Sequence, residues 1–193
     1  VESEKVCLKA LKSNFELISI LCTLEYYELH KDLINLKTKD IYIAPRNIME
    51  GIVGFDLHHG VMCLVKLPDY SPLTELGDRI MIFNGVTSPE NVGTITRASV
   101  AFGFNSLVFD AKSSSPYLRR CMRVSMGNIF ETKVHKSYGL VPTVLKLKEL
   151  GYTVIATANE EGAKNILDFR YSQKTCLIIG NEGNGMDREV IDS

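Results

Sequence analysis

Apolar and polar residues alternate along the chain in blocks, and each block has the spacing of one strand or one helix. The run FELISILCTL at 15–24 is β-branched and apolar, as expected of a buried strand. Charged segments on either side carry apolar residues at helical spacing. The first third of the chain therefore predicts a small layered α/β unit, with strands at 15–24, 40–44 and 60–67, helices at 2–13 and 25–37, and a short helix after Pro45.

Turn-forming residues then interrupt the pattern at 68–74, which includes Pro68, Asp69, Ser71 and Pro72 and is the best candidate for a linker. Beyond it, short apolar strands and amphipathic helices alternate again. This order is typical of an α/β fold with a parallel sheet covered on both faces. The predicted strands lie at 79–83, 106–109, 132–135, 152–157 and 175–179, and the predicted helices at 89–102, at 141–150 and from about Met186 onward.

The composition is that of a folded protein, since 45% of the 193 residues are hydrophobic and 23% are charged. This balance excludes intrinsic disorder, and no run approaches 18 apolar residues, so we expect no membrane span and no membrane partner. The 22 Lys and Arg against 23 Asp and Glu give a net charge of −1, which argues against a globally basic nucleic-acid binder.

Positive charge is nevertheless concentrated in one part of the chain. Residues 112–148 contain eight Lys or Arg and one acid, Glu131. Arg119, Arg120 and Arg123 cluster just before Ser125, and a local concentration of this kind can bind a phosphate backbone. An ordinary solvated face is the alternative.

The cysteines and histidines do not form a metal-binding or disulfide pattern. The five cysteines are scattered and contain no C-x-x-C pair, which favours reduced core thiols in a cytoplasmic protein. His58 and His59 are adjacent, and adjacent side chains on a strand point to opposite faces, so we expect a turn there and no metal site.

The loop after the predicted strand 79–83 is the first candidate for a functional site. Ligands bind parallel α/β sheets beyond the carboxyl ends of the strands. Ser88 and Pro89 are a helix start signal, and the small residue Gly93 allows the helix to approach a neighbour closely. Arg97 lies in this otherwise small and apolar helix, where it is either a functional cation or part of a solvated face.

The second candidate is the glycine-rich loop 180–185, which follows the apolar strand 175–179. Its spacing is G-x-x-G-x-G and not the dinucleotide pattern G-x-G-x-x-G, which disfavours a nucleotide-binding oxidoreductase. Glu182 would repel phosphates, so it fits a cationic or hydroxyl-bearing ligand, or an arginine held in place. A tight surface turn is the alternative.

Together these loops resemble the motifs of the TrmH (SpoU) family of the SPOUT superfamily, the knotted RNA ribose methyltransferases. Asn84 stands where the family usually has Asp. Residues 1–67, which end on His59-Gly60-Val61, are similar to the family's N-terminal substrate-binding domain with its ribosomal-protein-like fold. The matching motifs are Asn84-Gly-Val-x-x-Pro89-x-Asn91-Val-Gly93-x-x-x-Arg97, Arg123-Val-Ser125-Met-Gly127-Asn128 and Gly180-Asn-Glu182-Gly183-x-Gly185.

The resemblance implies an RNA substrate-binding domain at 1–67, a linker at 68–74 and a SPOUT methyltransferase domain at 75–193. Family members continue past the third of these motifs into a strand, a Ser-Leu-Asn loop and a final helix that thread a trefoil knot. We therefore expect the knot to be incomplete in this chain. The resemblance also implies a homodimer, with catalytic residues of one subunit near the cofactor of the other.

The implied reaction is methyl transfer from S-adenosylmethionine to a ribose 2′-hydroxyl in RNA, with large-subunit rRNA favoured over tRNA. Open alternatives are a tRNA ribose methyltransferase and an RNA-binding relative without methyltransferase activity. The resemblance assigns catalytic roles to Arg97, Asn91 and Glu182, cofactor contacts to Thr157, Gly180, Asn181 and Gly183, and RNA contacts to Arg119, Arg120, Arg123 and Ser125, with no metal.

Overall fold

The strands of the protein form two separate sheets. In the N-terminal part a three-stranded sheet has the order β2-β1-β3, in which β1 pairs with β2 in parallel and with β3 antiparallel. The elements here are α1 (Glu4–Lys12), β1 (Leu17–Cys22), α2 (Leu24–Lys37), β2 (Ile41–Ile43), α3 (Arg46–Val53) and β3 (Val61–Val65). The predicted alternation is confirmed, and α3 extends beyond the predicted short helix.

A five-stranded sheet forms the C-terminal part, in the order β6-β5-β4-β8-β7 with every pair parallel. The prediction of a parallel α/β sheet is therefore confirmed. Its elements are β4 (Arg79–Phe83), α4 (Pro89–Ala101), β5 (Ser106–Phe109), α5 (Arg119–Val124), β6 (Lys133–Lys136), α6 (Leu140–Glu149), β7 (Thr153–Ala156), β8 (Thr175–Ile179) and α7 (Arg188–Ile191).

These elements are taken from a computed structural model. His58 and His59, for which we expect a turn, lie outside the described residues. The structure describes residues 1–54, 60–158, 162–165 and 168–193.

Helix α4 begins and ends where the sequence predicts. The Ser88 hydroxyl accepts a hydrogen bond from the Asn91 N–H at 3.3 Å, with Pro89 in the first turn. Gly103, at φ +80°, follows its last turn. A Cβ on Gly93 would lie 2.7 Å from Val124 Cβ, so glycine allows α4 to pack directly against α5.

Helix α5 is absent from the sequence-based prediction. Its six residues bury Cys121, whose thiol donates to the Pro89 carbonyl at 3.2 Å, while its arginines face outward. A six-residue helix with a single buried position has too little apolar periodicity to be recognised from sequence.

Helix α1 contributes to the hydrophobic cores of both sheets. Cys7 and Leu11 pack in the core of the three-stranded sheet. Val6 and Ala10 pack with residues of the five-stranded sheet and its helices. Gly127, at φ +74°, allows the close approach, because a Cβ there would lie 3.3 Å from Val6 Cα. The two sheets are thus connected through a shared helix as well as through the segment 68–74.

Candidate functional site

The two loops predicted as functional lie side by side at the carboxyl edge of the five-stranded sheet. β4 and β8 are neighbouring parallel strands, with Phe83 opposite Ile179. The pairing continues past the strands, since the Asn84 N–H donates to the Ile179 carbonyl at 2.9 Å. The loop after β4 and the glycine-rich loop 180–185, here called the glycine loop, therefore begin next to each other, where ligands bind sheets of this kind.

Asn91 and Glu182 meet directly across these loops. The side-chain Nδ2 of Asn91 donates to Glu182 Oε1 at 2.7 Å. The cap at Ser88 places Asn91 in the first turn of α4, and the glycine loop holds Glu182 on the opposite side. The structure thus pairs Glu182 with the Asn91 amide and not with an arginine.

Arg97 lies six residues further along α4, about 9 Å up the helix axis and about 120° around it from Asn91. Its side chain is exposed and makes no hydrogen bond or ion pair with the residues that the structure describes. Its carbonyl accepts a hydrogen bond from Asn128 Nδ2 at 3.5 Å. The guanidinium is thus free to meet a ligand, and Glu182 does not hold it.

The glycine loop is held in shape by Asn181. Its Oδ1 accepts from the N–H groups of Gly183 and Asn184, both at 2.9 Å, and its Nδ2 donates to the Gly85 carbonyl at 2.8 Å. The Asn181 N–H and carbonyl both pair with Gly185. The backbone N–H groups of Asn181 and Gly183 are therefore engaged within the loop.

A cleft of about 490 Å³ opens beside the glycine loop. Gly180 has no room for a side chain there, because a Cβ would lie 2.6 Å from the Met186 nitrogen. The Thr157 hydroxyl at the end of β7 donates to the Ile178 carbonyl at 2.8 Å. The four residues predicted to bind a cofactor all line this cleft, together with Ala158, Ile179, Asn184, Gly185, Met186 and Ile191.

A polar network that is buried at Asn84 and Asp110 and exposed at Asp187 and Lys112 was missed by sequence reasoning. Asn84, 1% exposed, donates from Nδ2 to Asp110 at 3.1 Å and to Asp187 at 2.8 Å. The Lys112 ammonium contacts Asp187 at 2.8 Å. The hydrogen bond from this ammonium is the main cause that lowers the pKa of Asp187 below its usual value. The hydrogen bond from the Asn84 amide is the second cause. The available signal was that Asn84 and Asp110 each directly follow a buried strand.

The arginines predicted to bind RNA are exposed but already paired with acids. Arg119 contacts Glu2 at 2.5 Å and Arg123 contacts it at 3.3 Å, although Glu2 itself is buried. Arg120 contacts Glu90 at 2.6 Å. The local positive charge is therefore partly neutralised in this arrangement.

Ser125, predicted to bind RNA with these arginines, is 1% exposed. Its hydroxyl donates to the Met122 carbonyl at 3.1 Å. Its side chain has no surface to offer to RNA in this arrangement, so it acts in the turn that ends α5.

All five cysteines are free and buried. Burial raises the pKa of Cys176 to about 12 and that of Cys121 to about 11, which disfavours reactive thiolates. Among the described residues no group of three His, Cys, Asp or Glu is arranged to hold a metal ion, and no helix is long and apolar enough to cross a bilayer.

Comparison with known proteins shows similarity to one family of RNA-modifying enzymes. The model of the SpoU rRNA Methylase family matches residues 78–193. A TrmH-family tRNA/rRNA methyltransferase of Staphylococcus haemolyticus is 28% identical over 83% of this chain and 68% of its own. A 23S rRNA uridine 2′-O-methyltransferase of Streptomyces viridochromogenes is 29% identical over 80% of this chain and 56% of its own. The chain spans about half the length of the mycobacterial relatives that it matches, at 52%.

The fold is also shared with solved structures. An rRNA methyltransferase of Sinorhizobium meliloti, solved with bound AdoMet, superposes with a TM-score of 0.86 at 19% identity. The match covers 100% of this chain and 74% of that one. At this level of identity the likeness shows the fold alone.

Proposed function

The chain belongs to the SpoU rRNA methylase family, and on that premise we propose that the protein transfers a methyl group from S-adenosylmethionine to a ribose 2′-hydroxyl in RNA. The observation that carries the proposal is the hydrogen bond between Asn91 and Glu182. It joins the two family motifs at the sheet edge, where the glycine loop also lines the cleft.

The cleft beside the glycine loop has the size and lining that a nucleoside cofactor needs. Its volume of about 490 Å³ falls within the range of small-molecule sites. Gly180 lets the backbone of Gly185 and Met186 pass directly against it, which gives the loop the shape that lines the cleft. Thr157, Gly180, Asn181 and Gly183 would hold the cofactor. When bound, S-adenosylmethionine supplies an electrophilic methyl group on a sulfonium.

Arg97 is assigned to the reacting hydroxyl. An arginine is a permanent cation, so it stabilises the alkoxide that develops as the 2′-hydroxyl attacks and fixes an adjacent phosphate, while the proton leaves to phosphate or solvent. The hydrogen bond between Asn91 and Glu182 keeps the first turn of α4 against the glycine loop. This fixes the distance between hydroxyl and methyl donor, on which the rate of a bimolecular displacement depends strongly.

RNA binding is assigned to the arginine cluster of α5 and to an N-terminal domain at 1–67, followed by a linker at 68–74 and a methyltransferase domain at 75–193. Within this proposal Ser125 supports the cluster as a structural residue. The Streptomyces relative, a 23S rRNA uridine 2′-O-methyltransferase, supports 2′-O transfer and favours rRNA over tRNA. A homodimer, a cytoplasmic location and a knotted methyltransferase domain belong to the same proposal.

The test uses transfer of tritiated methyl groups from S-adenosylmethionine to rRNA and tRNA transcripts. We expect wild-type protein to label rRNA, and Arg97→Ala to lower the rate at least about a hundredfold, as removal of one oxyanion-stabilising group does. The matched control is Arg170→Ala, an exposed arginine outside the site.

Unchanged circular dichroism and cofactor affinity in Arg97→Ala would place the defect in chemistry. Full activity of that variant contradicts the role assigned to Arg97. Binding of RNA by wild-type protein without any methyl transfer would identify the protein as a non-catalytic relative.

A further inference from the structure

One side-chain amide lies between two carboxylates at the edge of the sheet. The Nδ2 of Asn84 donates to both Asp110 and Asp187, at 3.1 and 2.8 Å, and its Oδ1 accepts the Asp187 N–H at 2.7 Å. Both amide hydrogens and the oxygen are therefore in use. Since ionised carboxylates only accept hydrogen bonds, the group between them has to be a donor, and the Asn84 amide supplies a hydrogen to each.

The dipeptide Asn84-Gly85 holds the glycine loop at three points. The Asn84 N–H bonds the carbonyl of Ile179, the residue before the loop. The Gly85 carbonyl accepts from Asn181 Nδ2 within the loop at 2.8 Å. The Asn84 Oδ1 holds the N–H of Asp187, just after the loop and Met186. The two ends of the cleft-lining segment are thus fixed to one residue.

The charges around Asn84 determine what can stand at this position. Asp110 is 5% exposed, and its carboxylate accepts from the backbone N–H groups of Gly85 at 2.8 Å and Ser113 at 2.7 Å. The other charged groups facing the network are Lys112 on Asp187, Lys136 on the Asp110 carbonyl, and Glu189, which acts on Lys112. A carboxylate in place of Asn84 would add a third anion within about 3 Å of the other two.

We propose that Asn84 is a positioning residue, whose neutral amide sets the opening of the cofactor cleft by holding Asp110, Asp187 and both ends of the glycine loop together. The inference rests on the proposed function only in taking the cleft to bind S-adenosylmethionine. Asn84 touches neither cofactor nor substrate in this account. It acts through the loop.

The isosteric variant Asn84→Asp tests this directly. Near pH 7.5 we expect amide hydrogen-exchange protection in 180–187 to fall about tenfold, because the donor to both carboxylates is lost and repulsion is added. Near pH 5 protection should recover, since closely spaced carboxylates share a proton. The wild-type protection factors should not change over this range. The double variant Asn84→Asp/Asp187→Asn restores a donor between positions 84 and 187 but leaves the repulsion with Asp110, so it should recover only part of the protection at pH 7.5.

The matched control is Asn105→Asp, the same change at an exposed residue at the amino end of β5. Calorimetry with S-adenosylmethionine should show about tenfold weaker binding to Asn84→Asp than to wild type, and unchanged binding to Asn105→Asp. Wild-type protection in Asn84→Asp at pH 7.5, or a loss that is the same at pH 5, overturns the inference. If wild-type protein does not bind S-adenosylmethionine but the loop still loosens in Asn84→Asp, the proposed function fails and the positioning role stands.

Discussion

The hydrogen bond from Asn91 to Glu182 joins a helix start to a glycine-rich loop across two neighbouring strands. Neither residue is deeply buried, so the bond contributes little to the stability of the fold and mainly selects one relative position of the two loops. A bond of this kind matters for catalysis, where a misplacement of one ångström is costly, more than for folding.

Replacement of Glu182 should therefore affect methyl transfer without affecting stability. We expect Glu182→Ala to lower the turnover rate about tenfold, as loss of a hydrogen bond to a charged group does, with an unchanged melting temperature. Glu182→Gln keeps an acceptor oxygen for Asn91 and should retain most of the rate. If the turnover rate of Glu182→Gln falls as far as that of Glu182→Ala, catalysis requires the charge of Glu182 and not its hydrogen bond to Asn91.

The grouping of Asn91, Glu182 and Gly180 could be predicted from sequence, because each stands in the loop or the first helical turn that follows a parallel strand. Their contacts could not be predicted, because the partner of each side chain depends on the register of β4 against β8. The burial of Ser125 and the pairing of Arg119 and Arg123 with Glu2 also depend on tertiary packing. The apolar periodicity of the basic segment 112–148 indicates neither this burial nor these ion pairs.

The packing of α4 on α5 depends on the absence of a side chain at Gly93. A Cβ there would meet both Val124 Cβ at 2.7 Å and the Cys121 carbonyl at 2.9 Å. The sequence predicted the close approach of α4 to a neighbour from its small residues. It did not predict the neighbour, because α5 has too few apolar positions to be recognised.

Gly93→Ala should destabilise the protein by about 1–3 kcal/mol, because overpacking forces the two helices apart. Urea unfolding followed by circular dichroism measures the change. The matched control is Gly51→Ala in α3, where nothing lies within 4 Å of the added Cβ, and stability should be unchanged or rise by up to about 1 kcal/mol. Equal stability of Gly93→Ala and wild type would show that α4 and α5 can separate at no cost.

The N-terminal segment and the methyltransferase-like sheet are joined by charge as well as by packing. Glu2 is buried and contacts Arg119 and Arg123, while Lys9 of α1 contacts Glu131 at 2.6 Å. The prolines and turn residues of the segment 68–74 predict a linker. The packing of α1 in two hydrophobic cores could not be predicted from the sequence. The apolar residues of α1 form one stripe in the sequence pattern. This pattern does not show that Val6 and Ala10 face one sheet while Cys7 and Leu11 face the other.

Loss of the acid at Glu2 should increase the positive charge that the surface around Arg119 and Arg123 presents to RNA. We expect Glu2→Gln to lower the melting temperature and to tighten RNA binding, with a steeper dependence of affinity on salt as more phosphates are neutralised. Filter binding over a salt series measures both. Glu28→Gln, which removes an exposed pairing with Lys31, is the control and should change neither. An unchanged salt slope in Glu2→Gln would show that Arg119 and Arg123 do not contact RNA phosphates.

Mass spectrometry of nucleosides tests the central claim most directly. RNA is incubated with the protein and S-adenosylmethionine, digested to nucleosides, and examined for a methyl group on the ribose fragment. We expect a 2′-O-methylated nucleoside in rRNA that is absent without S-adenosylmethionine and greatly reduced with Arg97→Ala. A methyl group found on the base, or none in any RNA while the cofactor binds, would contradict it.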